Sequence, residues 1–153
     1  MNEEHIRLDG SGLKFGLVVS RFNALVTEPL LEGARAFLLQ HGVEAIEVVR
    51  VPGGWELPLA VRWMADSGRF DGLVALGCVI RGGTPHFEYV SGEMAKGLSN
   101  AQNDHRIPVG FGVLTTDTLE QALERAGSKM GNKGWEAAAA SLEMALLRRR
   151  LGS

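Results

Sequence analysis

Apolar residues along this chain fall into two alternating spacings. Lys14–Ser20 (KFGLVVS), Glu44–Val51 (EAIEVVRV) and Gly72–Ile80 are short, nearly unbroken apolar runs, the signature of buried strands, and Pro108–Leu114 makes a fourth. Between them, apolar side chains recur at helical spacing. Leu30, Leu31, Ala34, Phe37, Leu38 and His41 form one stripe, stopped by Gly42. Leu57, Ala60, Val61 and Met64 form a second, stopped near Gly68, and Phe87, Val90, Met94, Gly97 or Leu98 and Ala101 form a third. After the fourth strand, Asp117 with Glu120 three residues on predicts a capping box that opens a short helix with Leu119, Ala122, Leu123 and Ala126. A final helix carries Trp135, Ala138, Ala139, Leu142 and Leu146.

The order β-α-β-α-β-α-β-α-α predicts an α/β protein, because short apolar strands alternating with amphipathic helices need a parallel sheet covered on both faces. The expectation is a three-layer α-β-α sandwich on a four-stranded parallel sheet, of flavodoxin-like topology. A polar arm over residues 1–12, ending in Gly-Ser-Gly, is expected to be loose and to precede one domain over 13–153. In such folds ligands sit at the carboxyl ends of the strands. The segments to inspect are therefore Arg21–Thr27, Pro52–Glu56, Arg81–His86 and Thr115–Asp117.

Composition narrows the function. The chain has 153 residues, enough for a real core, and a net charge of −2, which gives no electrostatic case for nucleic acid or an anionic membrane. The one basic run, Arg148-Arg149-Arg150, closes the last helix, where cations complement the dipole. Cys78 is the only cysteine and lies in an apolar strand. No internal disulfide can form, the N-terminus is unlike a signal peptide, and no apolar run approaches membrane-spanning length. A reducing, cytoplasmic compartment is the expectation.

Chemistry concentrates in Leu76–Val90, LGCVIRGGTPHFEYV, which reads as strand, tight loop and helix. Such a junction brings backbone N–H groups and a helix N-terminus to one point, a setting that suits phosphate. Gly82, Gly83 and Thr84 can wrap an oxyanion, and His86 supplies a proton carrier beside it. In the first segment, Phe22 can stack on a planar ring or tuck back against the sheet edge. In the second, Glu56 can accept hydrogen bonds from a polyol or amine and Trp55 offers apolar area; alternatively they mark a helix start and a core position. Arg125 and Lys133 flank a glycine-rich turn, Arg125 most simply as a helix-end cation, and Phe111 lies where a core residue is expected. His5, His41, His86 and His105 show no metal-ligand spacing. Neither a Walker loop, a GxGxxG nor a nucleophile elbow is found.

Five motifs, VVSRFN, VPGGWELP, GCVIRGGTPHFEYV, FGVLTTDT and ERAGSKMGNKGWEAA, stand in the order and spacing of the 6,7-dimethyl-8-ribityllumazine synthases, and the resemblance runs from about Phe15 to Met144. It implies condensation of 5-amino-6-(D-ribitylamino)uracil with L-3,4-dihydroxy-2-butanone 4-phosphate, with no metal or organic cofactor. By match of motif, Phe22 stacks on the pyrimidine, and Asn23, Gly54, Trp55 and Glu56 line the pyrimidine and ribityl site. Cys78, Val79 and Ile80 hold the ring through backbone groups, Gly83 and Thr84 hold the phosphate, and His86 moves protons. Phe111, Arg125 and Lys133 enter from a neighbouring subunit, the two cations towards the phosphate. The resemblance implies a pentamer, and the uninterrupted Gly127–Gly134 turn is similar to that of members whose pentamers close into an icosahedral shell. Gly54 and Gly83 stand where relatives often carry alanine, serine or an acidic residue, which leaves binding there to backbone groups. A non-catalytic flavin-binding relative would lack an intact His86, Thr84 and Arg125, and a flavodoxin-type module would need a Ser/Thr-rich loop in place of SRFNALVTE.

Overall fold

A computed structural model describes residues 5–82, 86–127 and 131–152; Gly83 and Thr84 of the expected phosphate loop lie outside the described residues. Four strands, β1 (Lys14–Ser20), β2 (Ala45–Val51), β3 (Gly72–Ile80) and β4 (Val109–Thr116), form one parallel sheet of order β2-β1-β3-β4. Helices α1 (Ala24–Gln40), α2 (Leu57–Asp66), α3 (His86–His105), α4 (Leu119–Glu124) and α5 (Lys133–Leu151) connect and follow the strands. This is the expected flavodoxin-like sandwich.

The pleat of the central strands divides the core in two. Phe15, Leu17, Val19, Val74 and Leu76 face a cluster with Leu30, Ala34 and Phe37 of α1 and Ala138 and Leu142 of α5. Val18, Leu73, Ala75 and Val113 face Val61 and Met64 of α2 and Met94 and Leu98 of α3. Strands covered on both faces lose the polar alternation of a half-exposed strand, which is why β1 and β3 read as continuous apolar runs.

Three expectations shift. Helix α1 starts at Ala24, so the first loop is only Arg21 to Asn23; Pro29 lies inside the helix and interrupts its sequence signal. Strand β4 runs on to Thr116, and the capping box that follows is one residue later than the Asp117–Glu120 pair suggested. Thr118 Oγ1 accepts from the Gln121 amide at 3.2 Å, and the Gln121 side chain accepts from the Thr118 amide at 3.2 Å. Thr/Gln serves this motif as well as an acidic residue. Finally, the segment expected as a loose arm is tied down from Ile6 onward. Ile6 and Leu8 pack against the core, and the Gly10 amide donates to His41 O at 2.7 Å.

Candidate active site

The carboxyl ends of β1 and β3 and the start of α3 enclose a cavity of about 210 Å³. The β1–α1 loop contributes Phe22 and Asn23, and a short 3-10 turn at Gly54–Glu56 contributes Gly54. Strand β3 contributes Cys78, Val79 and Ile80, and α3 contributes His86, Phe87 and Val90. A larger hollow of about 420 Å³, lined in part by Phe70, Asp71 and His105, opens at the amino ends of the strands, the wrong end for a ligand in this class of sheet.

Asn23 organises one wall. It precedes α1 in a left-handed backbone conformation (φ 65°), which Asn tolerates better than most residues. Its Nδ2 donates to the Cys78 carbonyl oxygen at 3.1 Å, so the loop after β1 is pinned to the end of β3. A carbonyl oxygen has a second lone pair, which leaves acceptor capacity for a ligand there. Phe22 beside it is 70% exposed, not tucked against the sheet edge, and presents a bare ring at the cavity mouth.

Cys78 lines the cavity, and its thiol is buried. Its side chain packs in the α1–α5 half of the core, and burial pushes the thiol up to about 11. A thiol whose value rises on folding contributes stability that is complete below its ordinary value of 9.0 and is lost as the pH climbs towards about 11. Cys78→Ala should therefore show a smaller loss of denaturation midpoint than the parent between those two pH values at fixed protein concentration. Parallel midpoint–pH curves would contradict the assignment.

Trp55 is not a core residue. It is 52% exposed, and its ring stacks on Tyr89 with centroids 5.9 Å apart. Glu56 directly precedes α2 at its N-terminus, where a carboxylate suits the dipole, and it is half-buried. Gly54 lies in the 3-10 turn, and a Cβ there would stand 3.4 Å from Met94 Sδ and Val79 Cγ2. Phe87 and Val90 read as core from sequence alone. Their place in the cavity wall follows from helical spacing, since Val90 is four residues after His86 and shares its face.

Phe111, Arg125 and Lys133 are not in the cavity. Phe111 is 40% exposed on edge strand β4 and borders a different hollow with Leu98 and Gln102, so the core position expected from its place in the strand is corrected. Arg125 and Lys133 are brought together with each other. The Lys133 amide donates to Arg125 O at 2.9 Å and the Gly127 amide to Gly131 O at 2.7 Å, which closes the base of the glycine-rich turn. Lys133 is the first residue of α5, where the helix dipole disfavours a cation. Among the described residues that line the cavity there is no lysine or arginine.

The sequence model of the 6,7-dimethyl-8-ribityllumazine synthase family matches residues 12–149. The chain belongs to that family. It is 54% identical over 147 residues to a 6,7-dimethyl-8-ribityllumazine synthase of Syntrophus aciditrophicus (strain SB), covering 95% of this chain and 96% of that protein. Of the residues matched by motif, Phe22, Asn23, Gly54, Cys78, Val79, Ile80 and His86 line the cavity; Trp55, Glu56, Phe111, Arg125 and Lys133 do not, and Gly83 and Thr84 lie outside the described residues. Among the described residues no helix is long and apolar enough to cross a membrane, and no group of three or more potential ligands could hold a metal ion.

Proposed function

We propose that this chain condenses 5-amino-6-(D-ribitylamino)uracil with L-3,4-dihydroxy-2-butanone 4-phosphate to give 6,7-dimethyl-8-ribityllumazine, inorganic phosphate and water, the penultimate step of riboflavin biosynthesis. The amine adds to the ketone and water leaves to form an imine. Phosphate is then eliminated, and the ring closes with further loss of water. These steps need two substrates held in register and protons moved between them. The observation that carries the reading is the cavity: one exposed ring, the backbone at the end of β3, and one imidazole.

Phe22 stacks on the pyrimidine, while Asn23, Gly54 and the backbone of Cys78, Val79 and Ile80 hold its edge. Trp55 and Glu56 reach the ribityl chain. Gly83 and Thr84 cradle the phosphate, and His86 carries protons. A doubly charged phosphate is costly to hold without a cation, and the cavity wall lacks lysine and arginine among its described residues. We therefore assign Arg125 and Lys133 of a neighbouring subunit to the phosphate and that subunit's Phe111 to the aromatic wall. Such sharing needs an oligomer; the family resemblance points to a pentamer, and the uninterrupted sequence from Gly127 to Gly134 points to pentamers closed into an icosahedral shell.

Exposed apolar residues support self-association. Trp55, Leu59 and Trp63 recur every four residues, and all three are more than half exposed. Contiguous apolar surface of this kind marks an interaction face. Velocity sedimentation should show no free monomer and should separate pentamers from shells. The expected compartment is the cytoplasm, consistent with a single buried thiol.

The activity is read by mixing the two substrates and following lumazine absorbance together with phosphate release, with and without a chelator. Equal amounts of both products, unaffected by the chelator, support the reading; phosphate release without lumazine, or neither product, overturns it. Arg125→Ala should raise the Michaelis constant for the butanone phosphate about ten-fold or more, the scale of a lost hydrogen bond to a charged group. An unchanged Michaelis constant together with unchanged turnover would remove Arg125 from the site.

A further inference from the structure

Arg81 lies just past β3 and outside the cavity wall, yet it touches the elements on which the site depends. Its Nη2 donates to Glu88 Oε1 at 2.9 Å, its Nη1 stands 3.7 Å from Asp117 Oδ1, and its guanidinium carbon is 5.7 Å from the centre of the Phe87 ring. Its amide donates to Thr116 O at 2.8 Å and so prolongs the β3–β4 ladder by one bond. Phe87 and Glu88 are the two residues that follow His86. Asp117 lies between β4 and α4.

These contacts are poor candidates for holding the fold. The side chains of Arg81, Glu88 and Asp117 are all more than half exposed, and ion pairs in water contribute little stability. Orientation is a different matter. A planar guanidinium can engage two carboxylates in fixed directions, which an ammonium cannot do. The first turn of α3 is thereby referenced to the ends of β3 and β4.

We propose that Arg81 is a positioning residue. Through Glu88, Phe87 and Asp117 it sets the direction in which His86 faces the cavity. The inference rests on the assignment of His86 as proton carrier. A positioning role differs from phosphate binding, which would show as a raised Michaelis constant for the butanone phosphate.

Arg81→Met, Arg81→Lys, Glu88→Gln and the Arg81→Met/Glu88→Gln double variant, each as the intact assembly, test it. Arg81→Met should lower kcat about 10- to 100-fold, the loss that a misplacement of about 1 Å can produce, with little change in either Michaelis constant. Arg81→Lys should fall between parent and Arg81→Met. Glu88→Gln, which leaves the Asp117 and Phe87 contacts, should cost less than Arg81→Met, and the double variant should be no worse than Arg81→Met, in which the Glu88 contact is already gone. The second readout is the carbethoxylation rate of His86 relative to His41, measured by peptide mass spectrometry, which should shift several-fold in Arg81→Met. Unchanged kcat with an unchanged His86 rate would overturn the proposal. So would a raised Michaelis constant for the butanone phosphate with kcat intact. Were the parent protein itself to make no lumazine, the proposed function would fail, and the His86 rate alone would decide the role of Arg81.

Discussion

His86→Ala is expected to lower turnover about 10²–10⁴-fold, the usual contribution of a positioned acid–base group, without abolishing it. His86 opens α3 with its side chain exposed at the cavity rim, so its removal should cost little stability. The rest of the catalytic gain comes from holding amine and ketone together. Orientation of two reactants can supply roughly 7–11 kcal/mol in the best cases, and it depends on Phe22, the end of β3 and the phosphate contacts, all retained in the variant. Both Michaelis constants should therefore remain near the parent's. Steady-state kinetics on a variant shown by sedimentation to be assembled provides the check. Parent-like turnover would remove His86 from the chemistry. Loss of all measurable activity in an intact assembly would mean that proton transfer, not orientation, carries the reaction.

Gly134→Ala should produce the largest loss of stability. Gly134 lies in the first turn of α5, where the backbone of α5 meets that of α1. A Cβ at this position would come within 2.0 Å of Leu30 O and 2.8 Å of Leu30 C, and both are main-chain atoms that cannot rotate away. The only relief is to push α5 off α1. Nearby close approaches resist that movement: a Cβ at Gly110 would stand 2.3 Å from Ala137 O, and the Asn132 side chain fills the space over Gly33. Overpacking of this kind costs about 3 kcal/mol or more when the obstacle cannot move. For a chain of this length that corresponds to a melting-temperature loss on the order of 10 °C. Because Lys133 is the preceding residue and its amide is bonded to Arg125 O, the same displacement should weaken use of the phosphorylated substrate. Calorimetry at fixed protein concentration measures the first effect and substrate kinetics the second. A melting temperature within a degree or two of the parent would show that α5 shifts freely, contrary to the packing described.

The central layer was the most legible part of the chain. Strands β1 and β3 begin and end where their apolar runs do, because both are buried on two faces by the helices around them. Boundaries blurred where local chemistry admits neighbouring solutions. Thr118 with Gln121 caps α4 as well as Asp117 with Glu120 could have done, and Asp117 is instead engaged by Arg81. The start of α1 was masked by Pro29, whose usual meaning is a boundary.

Exposure was the least legible property. An apolar side chain on a strand or helix reads as core by periodicity, yet Phe111 and Trp55 face outwards. Sequence spacing reports which residues share a face, and it does not report whether that face meets this chain or another. The glycine-rich segment after β3 and His86 stood out because their composition is unusual for a plain strand-to-helix turn. Phe87 and Val90 did not, since nothing separates a cavity-lining apolar residue from a packed one in the string of letters. Arg81 was invisible for another reason: Asp117 meets it only once β3 and β4 pair, and Glu88 only once α3 has formed beside the end of β3.

The central claim is that one chain holds only part of the site and the next subunit supplies its cations. Co-assembly of His86→Ala with the Arg125→Ala/Lys133→Ala double variant tests it most directly. Each variant alone spoils every site in its own assembly. In a mixed assembly, some interfaces pair an intact His86 face from one chain with intact Arg125 and Lys133 from its neighbour. Lumazine formation by the mixture should rise well above that of either parent variant. Activity no higher than the average of the two would place the cations and the imidazole on the same chain and contradict the shared site.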